Sequence, residues 1–163
     1  MPAERRYAMA PFFGAGRREL AAHVPHCAFL GIEVVHVGPC EATVRLPHRD
    51  ELVGDPERGV VFGGVITTLL DHASGIAVSC SLEELQAIAT LDLRISYLRA
   101  AEPRCDLIGR VECYKLTHHV AFVRGAAWEH SPDDPFATMV ATMMIAANAS
   151  ISSLQARLAR GDT

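Results

Sequence analysis

The chain has 163 residues, a formal net charge of −4 at pH 7, and a composition that is 50% hydrophobic and 21% charged. These values predict one globular domain with a sizeable buried core, and they exclude an intrinsically disordered chain. Because the net charge is negative and no basic run occurs, we expect no nucleic-acid partner.

The cysteines and the apolar segments indicate a cellular compartment. Five cysteines, an odd number, lie at scattered positions without a Cys-x-x-Cys pair, which favours reduced thiols over a disulfide framework. The first residues lack a basic segment followed by an apolar stretch, and no apolar run approaches the length of a membrane span. We therefore expect a soluble, cytoplasmic protein with no membrane partner.

The N-terminal part predicts an arm and a short helix. Residues 1–16 contain two prolines and two glycines among small residues, a composition typical of a loose arm. Residues 17–23 predict a short helix that ends near Pro25. Since no repeat or second domain is visible, we divide the chain into the arm, one domain at 17–149, and a short C-terminal helix or tail at 150–163.

Two strands and a loop follow. Residues 32–37 and 40–46 predict paired strands, with Gly38-Pro39 as the turn between them. Residues 47–59 are polar, with two prolines and two glycines, and predict a loop that leads to the central helix.

The longest helical pattern lies at about residues 64–80. Plotted at about 100° per residue, its apolar residues cover an arc broader than the stripe of a surface helix. The opposite arc is polar and carries a single carboxylate. We expect a helix that is buried on one side and borders a pocket or a subunit interface on the other. The polar arc consists of Gly64, Thr67, Thr68, Asp71, His72, Ser74, Gly75 and Ser79.

The remaining chain predicts four strands joined by short turns, which should pair antiparallel. In the first of them, strict alternation puts Ala89, Leu91, Leu93, Ile95 and Tyr97 on the side that faces the core. A six-stranded antiparallel sheet with one long helix requires that helix to cover its concave face, so we predict an α+β fold. The four strands are expected at residues 88–98, 104–114, 119–129 and 136–147.

This layout resembles the hotdog-fold acyl-CoA thioesterases, and most closely their phenylacetate-degradation (PaaI-like) branch. The resemblance extends from about Phe29 to Ile145. It rests on the eight-residue step from Gly63 to Asp71 and on two segments, Gly59-Val60-Val61-Phe62-Gly63-Gly64-Val65 and Thr90-Leu91-Asp92-Leu93-x-Ile95-x-Tyr97-Leu98.

The resemblance implies a catalytic role for four residues. The N–H of Gly63 would polarise the thioester carbonyl, Asp71 would act as base or nucleophile, and Thr90 would help to place water or substrate. The Gly63-Gly64 turn suits this chemistry because the first N–H groups of a helix lack intrahelical acceptors and favour negative charge. Glycine also lets the backbone approach a substrate closely.

The spacing of Gly63 and Asp71 has a consequence for the assembly. Eight residues of helix separate the two groups by about 12 Å along the axis, whereas attack requires reacting atoms within roughly 3–3.5 Å. If both residues are catalytic, the site must combine Gly63 of one subunit with Asp71 of a second. We therefore expect a two-fold dimer with two equivalent sites, assembled further into a dimer of dimers.

Four positions depart from the family pattern. Family members usually have His where this chain has Phe62, and commonly Asn where it has Pro56; Phe62 would instead extend an apolar acyl pocket. A basic pair that contacts the CoA phosphates in relatives is replaced by His118 and His119, which carry only partial charge at pH 7. Arg99 is a further candidate for binding CoA.

Each site residue also has a purely structural explanation. Asp71 would be a carboxylate at a dimer seam, hydrogen-bonded to Thr67 or Ser74, and Gly63-Gly64 would only permit a tight start of the helix. Thr90 would be a residue of high β-propensity, and the two histidines would be turn residues. No metal site is expected, since no ligand cluster of suitable spacing occurs.

Two functions remain open. The first is metal-free hydrolysis of a small or medium acyl-CoA, with no cofactor because coenzyme A belongs to the substrate. The second is a non-catalytic hotdog protein that binds acyl-CoA or a lipid-like ligand, which Phe62 and Pro56 favour. A hotdog hydratase is disfavoured because its His-bearing loop pattern is absent.

Overall fold

The computed structural model describes residues 24–83 and 86–146. In chain order they form two helices, eight strands and a 3₁₀ turn at Asp50–Leu52. The helices are α1 (Pro25–Leu30) and α2 (Gly63–Ser79). The strands are β1 (Glu33–Gly38), β2 (Glu41–Leu46), β3 (Val53–Asp55), β4 (Val60–Val61), β5 (Ala87–Tyr97), β6 (Leu107–Leu116), β7 (Val120–Trp128) and β8 (Ala137–Ala146).

Six of the strands form one antiparallel sheet in the order β1-β2-β6-β7-β8-β5. The chain crosses over α2 between β2 and β5, so these consecutive large strands lie in different halves of the sheet. The predicted α+β hotdog architecture is confirmed, including all six strands of the main sheet and the long helix. Within the described residues, β5 has β8 as its one strand partner and forms an edge of the sheet.

Helix α2 lies against the sheet and packs mainly on β6 and β2. Its apolar arc is buried as expected, with Leu69 and Leu70 fully inaccessible. The predicted polar arc is wrong for Ser74, which is completely buried. Its hydroxyl donates to the Leu70 carbonyl at 2.7 Å, and this internal hydrogen bond removes the cost of burying the group. Ser79 of the same arc is buried as well, so the arc is accessible mainly from Gly64 to His72.

Strand β5 does not alternate strictly. Its pairing with β8 shifts register between Thr90 and Asp92, because Leu91 is the extra residue of a β-bulge. Thr90 consequently lies opposite Met143, a core residue, while Leu91 is 58% exposed. The expectation that Ala89 and Leu91 face the core is therefore wrong, since Ala89 is exposed too, opposite the exposed Met144. The bulge is what puts Thr90 on the helix side of the sheet.

Local structure differs from the sequence prediction in two further places. Helix α1 begins at Pro25 and was not predicted; proline is well tolerated in the first turn of a helix because its missing N–H is not needed there. The predicted loop at 47–59 contains the 3₁₀ turn and β3, which pairs with β4. The arm at 1–16, the helix at 17–23 and the C-terminal segment at 150–163 lie outside the described residues.

Candidate functional site

The N-terminus of α2 presents two backbone donors. Phe62 occupies the N-cap position and gives no side-chain cap. In the described part of the chain, the N–H groups of Gly63 and Gly64 have no hydrogen-bond acceptor; the next N–H, that of Val65, bonds to the Phe62 carbonyl at 3.0 Å. Because the positive end of the helix dipole adds to these free donors, the turn can stabilise a negatively charged oxygen.

Packing also favours a small residue at both glycine positions. The Tyr97 hydroxyl donates to the Gly63 carbonyl at 3.1 Å, and a Cβ at Gly63 would lie 3.3 Å from that hydroxyl oxygen. A Cβ at Gly64 would lie 2.6 Å from the Phe62 ring. The purely structural explanation of the glycine pair thus has direct support, and the free N–H groups are compatible with both explanations.

Asp71 meets Thr90 across the space between α2 and β5. The Thr90 hydroxyl donates to Oδ1 of Asp71 at 2.7 Å. Thr67 and Ser74 instead donate to the helix carbonyls of Gly63 and Leu70, so neither supplies the partner that the dimer-seam explanation suggested. A carboxylate with one oxygen fixed by a hydroxyl is oriented for work as a base or as a nucleophile.

This pair lines a cavity of about 450 Å³, which is large enough for part of an organic ligand. Among the described residues that line it, Asp71 is the only carboxylate, and Val24, Cys27 and Leu93 contribute apolar surface. The full lining is Val24, His26, Cys27, Thr67, Thr68, Asp71, His72, Thr90 and Leu93.

Of the lining residues, only Asp71 and Thr90 were predicted as site residues; Cys27 and His72 are two that were missed. Burial lowers the pKa of His72 below its ordinary value of 6.5, although the neighbouring Asp71 carboxylate opposes this shift. Its Nε2 is buried and has no hydrogen-bond partner among the described residues. Burial, with a smaller contribution from Asp71, raises the pKa of Cys27 to about 11. At neutral pH the imidazole is therefore uncharged and the thiol protonated, so neither provides a cation or a thiolate nucleophile.

The helical wheel places His72 beside Asp71 on the polar arc, so the sequence did contain the signal for this residue. Cys27 could not have been found in this way, since its place depends on how α1 packs against α2.

The structure does not bring Gly63 and Asp71 together within one protomer. Gly63 is tied to Tyr97, and Asp71 is tied to Thr90, seven residues earlier on β5. The expected separation of about 12 Å along the helix therefore holds, and a single carbonyl cannot reach both groups of one chain.

The other predicted binding residues lie away from the cavity. Phe62 is 61% exposed beside Gly64, and Pro56 is exposed in the turn between β3 and β4. His118 and His119 are exposed in the turn between β6 and β7, with ring centroids 4.4 Å apart. None of these residues is among the groups that line the cavity of Asp71.

Arg99 is engaged in an internal ion pair. Its guanidinium donates to both oxygens of Glu129, at 2.9 and 2.8 Å, and Nη2 lies 3.3 Å from Asp134. The Glu129 side chain is 0% exposed. Burial alone would raise the pKa of Glu129, but the hydrogen bonds from Arg99 and from the Glu102 N–H outweigh it and lower the pKa below its ordinary value. Arg99 thus has a structural role whether or not it also contacts a ligand.

The comparison with known families identifies this arrangement. The family model named thioesterase superfamily matches residues 58–135, which contain Gly63, Asp71 and Thr90. These residues form a thioesterase-superfamily domain. Among the described residues, no helix is long and apolar enough to cross a membrane.

Solved structures of other proteins share the fold of this chain. A solved structure of a Pseudomonas aeruginosa protein is 42% identical, with a TM-score of 0.71, over 78% of this chain and 94% of that one. The structure of a point mutant of the phenylacetic acid degradation protein PaaI from Thermus thermophilus is 23% identical, with a TM-score of 0.65, over 74% and 97% of the two chains. That identity shows a shared fold alone, so the PaaI-like branch stays a prediction.

A curated relative of this thioesterase-superfamily domain is a Halobacterium salinarum protein whose name gives it as a candidate esterase. It is 42% identical over 84 residues, which are 50% of this chain and 54% of that protein. The match therefore spans about half the length of that relative.

Proposed function

We propose that this protein hydrolyses a small or medium acyl-CoA thioester. The observation that carries the proposal is the Asp71 carboxylate, fixed by Thr90 at 2.7 Å on the wall of a cavity of about 450 Å³. The membership of residues 58–135 in the thioesterase superfamily supports the same reaction class.

Each group has a defined role in the proposed reaction. The thioester carbonyl accepts a hydrogen bond from the Gly63 N–H, and this donor stabilises the negative charge that develops on the oxygen. Asp71 either takes a proton from a water that attacks the carbonyl carbon or attacks that carbon itself. In either route the C–S bond breaks as the tetrahedral intermediate collapses, and coenzyme A leaves as the thiol, with a proton from Asp71 in the first route and from solvent in the second. In the second route water then hydrolyses the acyl–Asp71 anhydride. Thr90 holds the carboxylate in position, and Gly64 offers a second donor.

The site requires two subunits. The free edge of β5 is long for an edge strand and carries exposed apolar side chains, including Leu91 at 58%, whereas proteins usually protect such edges from pairing. Two-fold antiparallel pairing of two β5 strands that sets Thr90 opposite the partner subunit's Tyr97 would bring Asp71 towards the partner subunit's Gly63. Each dimer would hold two such sites, and a dimer of dimers would hold four.

The remaining predicted residues would bind the substrate. Phe62, exposed beside the start of α2, would add apolar surface for the acyl group, with Pro56 nearby in the turn before it. His118, His119 and Arg99 are the candidates for binding the CoA phosphates. Arg99 already pairs with Glu129 and Asp134, so its attraction for a phosphate would be reduced. No metal or cofactor takes part in this reaction.

A non-catalytic binder of acyl-CoA is the second candidate. It is favoured by Phe62 and Pro56, since both replace polar residues that would orient a thioester or a water. The cavity itself fits either function.

A panel of acyl-CoA substrates tested for release of free thiol separates the two functions. The matched pair of variants is Asp71→Asn and Asp133→Asn, because Asp133 is an exposed turn carboxylate remote from the cavity lining. The enzyme function requires that Asp71→Asn lose activity by at least about 100-fold, the range for removal of a positioned acid or base, while Asp133→Asn keeps it. Release at the background level from the wild type and from both variants alike would leave binding as the function.

A further inference from the structure

Two loops outside the candidate active site bring together three different metal-ligating side chains. Glu102 and Cys105 lie between β5 and β6, and His130 lies between β7 and β8. The ligand atoms of these three residues all fall within 4.8 Å of one another. Carboxylate oxygen, thiolate sulfur and imidazole nitrogen are the donors that bind Zn²⁺.

The separations of the three atoms match a tetrahedral site. Bond lengths of about 2.0–2.3 Å to zinc put neighbouring ligand atoms roughly 3.4–3.6 Å apart. Nε2 of His130 lies 3.0 Å from Oε2 of Glu102. Sγ of Cys105 lies 4.0 Å from each of those atoms. Each separation is thus within about 0.5 Å of the tetrahedral value, a change that exposed side chains reach by small rotations.

The backbone that carries the ligands is held in place independently of a metal. The Glu102 N–H donates to Oε1 of Glu129 at 2.6 Å, and Glu129 directly precedes His130. Because Glu129 is also bound by both Arg99 nitrogens, one buried carboxylate fixes the two loops against each other. Because the backbone of these ligands is already fixed, binding of a cation costs little further conformational entropy.

Carboxylates around the thiol of Cys105 favour a cation. Glu102, Glu129 and Asp106 all act on this thiol electrostatically. Arg99 pairs with Glu129 and Arg45 pairs with Asp106, so of these three charges it is that of Glu102, itself a proposed ligand, that is left to attract a cation.

We propose that Glu102, Cys105 and His130 bind one Zn²⁺ ion, with water as the fourth ligand, and that this ion clamps the β5–β6 loop to the β7–β8 loop. None of the three residues lines the cavity of Asp71, so the site is structural or regulatory and has no part in thioester hydrolysis.

Titration of the purified full-length chain with Co²⁺, after treatment with a chelator, tests the site without any substrate. The result expected is a saturating thiolate-to-cobalt absorption band at about one ion per chain, bleached by Zn²⁺. Cys105→Ser should abolish the band, and His130→Ala should weaken binding at least about tenfold. Cys40→Ser is the matched control, since Cys40 is a half-buried cysteine distant in sequence from both loops, and it should leave the band unchanged.

Absence of the band, or the same band in Cys105→Ser, would overturn the proposal, as would loss of the band in Cys40→Ser. Should Cys105→Ser fail to fold, His130→Ala decides the question, because its ion pair with Glu102 is exposed and contributes little to stability. A second readout is the Tm, which Zn²⁺ should raise in the wild-type chain and leave unchanged in His130→Ala.

Discussion

Replacing Gly63 by proline would remove one backbone N–H from the candidate oxyanion site and little else. Gly63 is the first residue of α2, where proline is favoured. The preceding residue, Phe62, has φ −63° and ψ 132°, and this extended conformation is the one required before proline. The deleted N–H has no acceptor among the described residues, so no internal hydrogen bond is lost.

The expected effect on catalysis is large, and the effect on stability is small. Loss of one preorganised oxyanion donor costs about 2.7–4 kcal/mol, or roughly 10²–10³-fold in kcat. Proline at a compatible position changes stability by only about 0.4–1 kcal/mol, usually favourably. The matched control is Gly63→Ala, which keeps the N–H and adds a Cβ with the same 3.3 Å contact to the Tyr97 hydroxyl.

The assay is release of free thiol at saturating acyl-CoA, with the Tm of each variant measured in parallel. We expect Gly63→Ala to remain within a few-fold of the wild type, while Gly63→Pro loses activity and keeps its Tm. Equal kcat values for the two variants would refute the assignment of the Gly63 N–H as the oxyanion donor, and the glycine would then serve packing alone.

Three further predictions concern the same region. Mixing Gly63→Pro with Asp71→Asn subunits should restore about a quarter of the wild-type activity, because half of the dimers formed at random are mixed and each contains one intact site; no recovery would argue against a shared site. Thr90→Val should lower kcat/KM by about 10–150-fold, which corresponds to a hydrogen bond to a charged group worth about 1.5–3 kcal/mol. Thr90→Ser keeps the hydroxyl and should stay near the wild type. Equal kcat/KM values for the two variants would show that the hydroxyl has no role. Arg99→Ala should lower the Tm at pH 7 because it leaves Glu129 buried without its cation. The folded-state pKa of Glu129 is below its ordinary value of 4.5, so the stability that Glu129 contributes is present above pH 4.5 and is lost as the pH falls. The Tm difference between Arg99→Ala and the wild type should therefore narrow in acid. A Tm difference independent of pH would contradict this reasoning.

The sequence predicts the large elements of this fold because their patterns are local. The period of two in the strands and the period of 3.6 in α2 each depend on residues close in the chain, and the six long strands and the central helix are all confirmed. The pairing of β3 with β4 could not be predicted in this way, because β4 has only two residues and is too short to show a period. The bulge at Leu91 escapes it as well, because the register of β5 is set by β8, about fifty residues later.

The same distinction between local patterns and long-range contacts applies to the candidate site. Gly63 and Asp71 stand out in the sequence because a glycine pair starts a long helix and one carboxylate interrupts its polar arc. Their partners Tyr97 and Thr90 are identified only by contacts between α2 and β5. Arg99 was predicted as a ligand-binding residue because the sequence does not show its partner. It pairs with Glu129, thirty residues away, and this contact depends on how the ends of β5 and β7 meet. No local pattern predicts such an ion pair.

The extra residue in β5 gives the protein a way to be altered in one step. Strand side chains alternate between faces, so removing a single residue from a regular strand reverses the face of everything on one side of the cut. Removing Leu91 would do the opposite: Thr90 and Asp92 would become neighbours, as their partners Met143 and Thr142 already are, so the ladder would become regular and Thr90 would stay on the helix side. A chain shortened in this way would keep the hydroxyl that orients Asp71 while losing an exposed apolar side chain from the edge of the sheet.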